Sequence, residues 1–112
     1  MSSSLSSQHC VPCEGGAIPL ELGSIQQRQP EIPGWSIDQT SETLRLTRVW
    51  SWGDFKQAIV FVNKVADVSE TEGHHPDIVI HYNKVTLTLW THAIGGLSEN
   101  DFIMAAKFNK IS

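Results

Sequence analysis

The chain has 112 residues, with 8 Lys+Arg against 12 Asp+Glu and a formal net charge of -4. That length fits one compact domain with a modest core and leaves no room for a second. No basic run interleaves with aromatics, so direct nucleic-acid binding is not expected. No apolar run is long enough to cross a bilayer, so the expectation is a soluble protein with no membrane contact.

Residues 1–18 read as a Ser-rich, flexible tail ahead of a single domain over 19–112. The opening MSSSLSSQHC lacks the basic and apolar regions of a secretory signal. Two cysteines without a disulfide framework then make a reducing, cytoplasmic compartment the default. Cys10 and Cys13 form CVPC, but no strand precedes them as a redox motif requires. A zinc site needs four ligands, and even His9 brings only a third nearby. The pair is read as a surface feature with no catalytic part, against adventitious metal binding or an intermolecular contact.

Pro19 can open a short first helix over LELGSIQQRQ, which Pro30, Pro33 and Gly34 end. Trp35-Ser36-Ile37 and the alternating run TSETLRLTRVWSW read as a hairpin. Ser51 with Asp54 resembles a capping box for a second helix. Its expected apolar face is Phe55, Ala58, Ile59, Val62, Val65, Ala66 and Ser69, and Gly73 and Pro76 stop it.

From residue 77 the period changes to 2. Ile78 and Ile80 face one way on one strand, Val85, Leu87 and Leu89 on the next, with Tyr82-Asn83-Lys84 as the turn. Ser98 with Asp101 then caps a C-terminal helix carrying Phe102, Ala105, Ala106 and Ile111. The order α-β-β-α-β-β-α implies an α+β fold, with a four-stranded antiparallel sheet covered on one face by helices.

The hairpin gathers histidines. If the turn centres near Asn83, paired residue numbers sum to about 166, and His92 falls opposite His74. His74, His75 and His92 then meet at the hairpin's open end, where the second helix terminates. Glu70 lies one helical turn before His74 and reaches the same place. Isolated His9 and His81 are read as ordinary side chains. Three converging imidazoles titrate unequally near neutrality, which suits a general acid beside a general base. Catalysis or ligand binding is therefore favoured over a purely structural cluster. A three-histidine zinc site is the sharp competitor, although adjacent histidines in extended chain point apart and make joint ligation awkward.

Glu70, His74-His75-Pro76, Tyr82, His92 and Asp101 stand at the motif spacing of the pterin-4a-carbinolamine dehydratases, and the chain resembles that family over residues 33–111. The words PGW, YNKV and THAIGGLS are also similar, and CVPCEGG resembles an N-terminal extension of one bacterial branch. One departure is Gly73, where several family members carry an acid.

The resemblance implies a dehydratase acting on 4a-hydroxytetrahydrobiopterin or a related pterin, giving quinonoid dihydropterin in the recycling of tetrahydrobiopterin. It implies no metal and no redox cofactor. Carried onto this chain, His74 and His92 are the acid and base pair, in an order left open. His75 chiefly holds the pterin, Glu70 orients or tunes an imidazole, and Pro76 and Thr91 line the site. Asp101 matches the motif but is assigned mainly to the helix cap. Some relatives act without catalysis, as a transcription-factor dimerisation cofactor or a carboxylase assembly factor, and that is the alternative reading. Exposed sheet edges and the resemblance together predict a homodimer or homotetramer.

Overall fold

The computed structural model describes residues 5–11, 18–40 and 42–112. Helix α1 is Leu22–Arg28, strands β1 and β2 are Ser36–Asp38 and Arg45–Ser51, and α2 is Phe55–Glu72. Strands β3 and β4 are Asp77–His81 and Lys84–Leu89, and α3 is Glu99–Ile111. Short 3-10 turns occupy Leu5–Ser7, Gln29–Glu31 and His92–Ile94. The sheet is antiparallel throughout, in the order β1-β2-β4-β3. This is the expected α+β architecture.

Leu46, Trp50, Val85, Leu87 and Leu89 form the buried face of the sheet, against Phe61 and Val65 of α2 and Phe102, Met104 and Phe108 of α3. The alternate residues look outward, and Val49 and Val79 remain 58% and 59% exposed. Edge strand β3 is exposed along its whole length.

Two helix starts differ from expectation. Pro19 does not open α1, because the Leu20 amide is spent on the Leu97 carbonyl at 2.9 Å and the chain stays extended up to Glu21. Ser51 belongs to β2, and Asp54 itself caps α2, its carboxylate accepting from the Gln57 amide at 2.8 Å.

The inward stripe of α2 is Ala58, Phe61, Val65 and Ser69, while Phe55 is 51% exposed and Ala66 faces solvent. The helix is rotated from the expected face because Phe61 packs on both Trp50 and Trp52, with ring centroids 4.8 and 5.0 Å away. Burying one aromatic against two indoles outweighs covering a Phe at the first helical position. Gly73 ends α2 as expected, with φ 68° in the left-handed region that favours glycine.

The β3–β4 turn is shorter by one position than expected. His81 pairs with Lys84 and Asp77 with Thr88, so Tyr82 and Asn83 alone make the turn, with Tyr82 at φ 56°. Asn83 is fastened to the end of β2: its Nδ2 donates to the Trp52 carbonyl at 2.7 Å, and its own carbonyl accepts from the Trp52 amide at 2.8 Å.

Residues 5–11, assigned from composition to a flexible tail, instead lie against α2 and α3. Leu5 is buried, and Lys107 Nζ donates to the Ser6 carbonyl at 3.0 Å. Apolar contacts at Leu5 and Cys10 and long-range hydrogen bonds hold the segment, and a Ser-rich composition shows neither. Cys10 is half-buried, with its Sγ 3.8 Å from the Asn100 carbonyl, whereas Cys13 lies outside the described residues.

Candidate active site

Three chain ends meet beyond the ladder of β3 and β4. The left-handed Gly73 turns the backbone out of α2, and the His74 amide still donates to the Ser69 carbonyl at 3.2 Å. His74, His75 and Pro76 then lead into β3, while Trp90 and Thr91 leave β4 for the turn His92–Ile94. Between them lies an open cleft of about 390 Å³, lined by Gly73, His74, His75, Pro76, Asp77, Trp90, Thr91, His92 and Ala93. The one-position slip in register moves residue partners but leaves the convergence intact, because the cleft forms past the last ladder pair.

His74 carries the most organised contact. Its Nε2 lies 2.7 Å from Asp101 Oδ1, and the ring is only 15% exposed. Asp101 is fully buried in the first turn of α3. Its other oxygen, Oδ2, accepts from Thr91 Oγ1 at 2.8 Å and from the Ser98 amide at 2.9 Å. Asp101 is therefore a helix cap and a histidine partner at once, so the mainly structural part assigned to it is too small. An ionised carboxylate can only accept, which places the imidazole proton on Nε2 and leaves Nδ1 as the ring's acceptor.

His75 points elsewhere. Its Nε2 is 2.6 Å from Glu70 Oε2, and both side chains are mostly solvated. Glu70 does not line the cleft; it stands behind His75. Among the described residues, no group of three His, Cys, Asp or Glu is arranged to hold a metal ion.

His92 stacks on Trp90, with ring centroids 3.8 Å apart and planes at 36°. Its nitrogens have no hydrogen-bond partner among the described residues, and the exposed residue lines the cleft. The Arg45 guanidinium lies 4.3 Å from the Trp90 ring centroid, so the indole carries a cation as well as an imidazole. Trp90 was missed from sequence. The available signal was parity: it shares the outward face with Thr86 and Thr88, where a large aromatic needs a reason. Arg45 could not be placed beside it without the β2–β4 register.

His81, read as ordinary, is exposed at the end of β3. His9 is also exposed, but it is not isolated: its Nδ1 is 2.9 Å from Glu72 Oε2.

Known proteins resemble this chain in sequence and in fold. The family model described as pterin 4 alpha carbinolamine dehydratase matches residues 19–111. A Chlorobaculum tepidum protein named for this dehydratase is 44% identical over 107 residues, covering 96% of each chain. Pterin-4-alpha-carbinolamine dehydratase 2, mitochondrial, of Arabidopsis thaliana is 42% identical, over 96% of this chain and 58% of that one. Among solved structures, a transcriptional coactivator/pterin dehydratase from Brucella melitensis superposes with a TM-score of 0.77. It is 32% identical, and the match covers 83% of this chain and 97% of that one. A pterin dehydratase-like RuBisCO assembly factor of the alpha-carboxysome shares the fold, with a TM-score of 0.60 at 24% identity, over 70% of this chain and 88% of that one. The chain therefore belongs to the pterin-4a-carbinolamine dehydratase family.

Proposed function

We propose that this chain is a working 4a-hydroxytetrahydrobiopterin dehydratase that serves the recycling of tetrahydrobiopterin. The observation that carries the reading is the buried Asp101–His74 pair opening on a cleft shared with His75 and His92. A fold alone supports many activities, so the site must carry the claim.

The reaction breaks the C4a–O bond of the carbinolamine and forms a C4a–N5 double bond. The departing oxygen takes a proton and leaves as water, and N5 gives up its proton to a base. Two imidazoles in one cleft can hold those two protons without a metal or redox cofactor. His74, oriented by Asp101, and His92, held by Trp90, are the acid and base pair. His75 holds the pterin, with Glu70 orienting its ring, and Pro76 and Thr91 complete the walls. Substrate enters from solvent, since His75 and His92 are exposed.

A homodimer or homotetramer accompanies this reading, because β3 ends the sheet with Ile78, Val79 and Ile80 at 37%, 59% and 39% exposure. A sedimentation mass of one chain at micromolar concentration would refute it. We place the protein in the cytoplasm on its cysteine usage, with no direct nucleic-acid contact at a net charge of -4. Among the described residues no helix is long and apolar enough to cross a membrane.

The second reading is a protein-binding role of the coactivator or assembly-factor kind borne by the two structural relatives, and the exposed face and edge of the sheet give it a surface. The test is the dehydration rate of freshly generated 4a-hydroxytetrahydropterin, followed by absorbance with a metal chelator present. Acceleration that survives chelation and collapses in His74→Ala and His92→Ala supports the enzyme. No acceleration by folded wild type favours the binding role.

A further inference from the structure

Among the described residues, two sets of short hydrogen bonds join the ends of α2 and α3. On the cleft side the link is His74 to Asp101. The second link is made by the N-terminal segment. Glu72, the last residue of α2, accepts from the Cys10 amide through Oε1 at 2.8 Å and meets His9 Nδ1 through Oε2 at 2.9 Å. Asn100, in the first turn of α3, accepts from the Val11 amide at 3.0 Å and donates from Nδ2 to the Val11 carbonyl at 2.6 Å. This two-point contact fixes the register of the segment against α3.

Glu72 is out of place without that segment. It sits in the last turn of α2, where a negative charge opposes the helix dipole, and that turn carries no basic residue to offset it. Its side chain is only 5% exposed, and a covered carboxylate needs partners. The segment supplies both short ones, with Lys107 Nζ further off at 3.8 Å. Asn100 is likewise buried with its amide committed to Val11.

The placement along the chain then matters. Glu72 is separated from His74 by Gly73 alone, and Asn100 adjoins Asp101. No residue of 5–11 lines the cleft. We propose that residues 5–11 are a positioning clamp for the active site: by tying Glu72 to Asn100 they hold the ends of α2 and α3 at the separation that lets His74 bond Asp101.

Helix ends fray, and a hydrogen bond between two of them tolerates only small displacement. The clamp rests on the dehydratase reading for its catalytic consequence, but its effect on the His74–Asp101 bond does not. Glu72, Asn100 and Val11 act through other residues and do not meet substrate.

The test uses full-length Asn100→Ala and Val11→Pro. The second removes only the amide that donates to Asn100, at a residue whose side chain is exposed, and leaves the core untouched, so it remains informative if the first fails to fold. The first readout is the NMR signal of the His74 imidazole in ligand-free protein; the second is kcat and KM for dehydration. The expected result is a far-UV spectrum like wild type, a shifted or broadened His74 Nε2–H signal, and kcat lower by about tenfold with KM little changed. A wild-type His74 signal in both variants overturns the clamp, and so does a lowered melting temperature with that signal intact, which marks a purely stabilising segment. A displaced His74 signal in a protein that never dehydrates the pterin supports the clamp and refutes the enzyme reading instead.

Discussion

His74 and His75 are consecutive, and each ring reaches a carboxylate at nearly the same distance, 2.7 Å for Asp101 and 2.6 Å for Glu70. Their surroundings differ. The side chains of the first pair are 15% and 0% exposed, those of the second 59% and 78%. A solvated pair is worth little, because water competes for both partners and two mobile side chains must be ordered. A buried carboxylate bound to an imidazole, a hydroxyl and a backbone amide cannot lose its partners without cost, so it fixes the ring it holds. Two adjacent residues of the same type thus receive different duties from the elements behind them: α3 stands behind His74 and solvent behind His75.

The largest effect is expected at Asp101. Replacing it by Ala strips His74, Thr91 and the Ser98 amide of their acceptor and uncaps α3, so roughly 3 kcal/mol of stability should go in denaturant titration. His74→Ala should lower the dehydration rate by about 10²- to 10⁴-fold. His92→Ala should lose about 10²-fold in rate, yet change stability by less than about 0.5 kcal/mol, since the ring is exposed. Trp90→Ala should fall between these and Glu70, costing about tenfold in kcat by releasing His92 from its stack. A Trp90→Ala variant with wild-type kinetics would show that His92 needs no support. Glu70→Gln sharpens the contrast: its rate should stay within about threefold of wild type and its stability within about 0.5 kcal/mol.

A smaller, pH-dependent effect separates the clamp from the cleft. The Glu72 carboxyl is held below its ordinary value of 4.5, first by the Cys10 amide and then by His9. Lys107 also faces it, and Asp67 and Lys110 line the surface groove that Glu72 shares with His9. A group whose pKa folding lowers stabilises the protein above its ordinary range, and that contribution is lost as pH falls through the lowered value. The stability advantage of wild type over Glu72→Gln should therefore be complete near neutrality and shrink on acidification below 4.5. Urea titrations across that range check it, and a constant difference would contradict it.

The order of elements was legible in the sequence because it rests on period. The 3.6-residue spacing around Ala58 and Val65 and the alternation through Val85, Leu87 and Leu89 are local signals. The histidine cluster was legible too, since a hairpin brings its open ends together even when the register is misjudged by one position. Rotation of α2 was not legible, because Phe61 is chosen over Phe55 by two tryptophans on another strand and its connection. The role of Asp101 was half legible: the spacing to Ser98 announces a cap, but only the packing of α3 against the cleft delivers the second oxygen to His74. Residues 5–11 read as tail because their partners, Glu72 and Asn100, are about 60 and 90 positions away and leave no periodic trace.

The most direct test of the contrast is the single-turnover dehydration rate of Asp101→Asn and Glu70→Gln, measured side by side with far-UV spectra to verify folding. Asparagine keeps an acceptor for one partner but removes the charge that fixes the His74 tautomer, so its rate should fall by about 10²-fold or more, while Glu70→Gln stays within about threefold of wild type. Equal losses in the two variants, or a larger loss at Glu70, would contradict the assignment of His74, oriented by Asp101, as a working imidazole of the site.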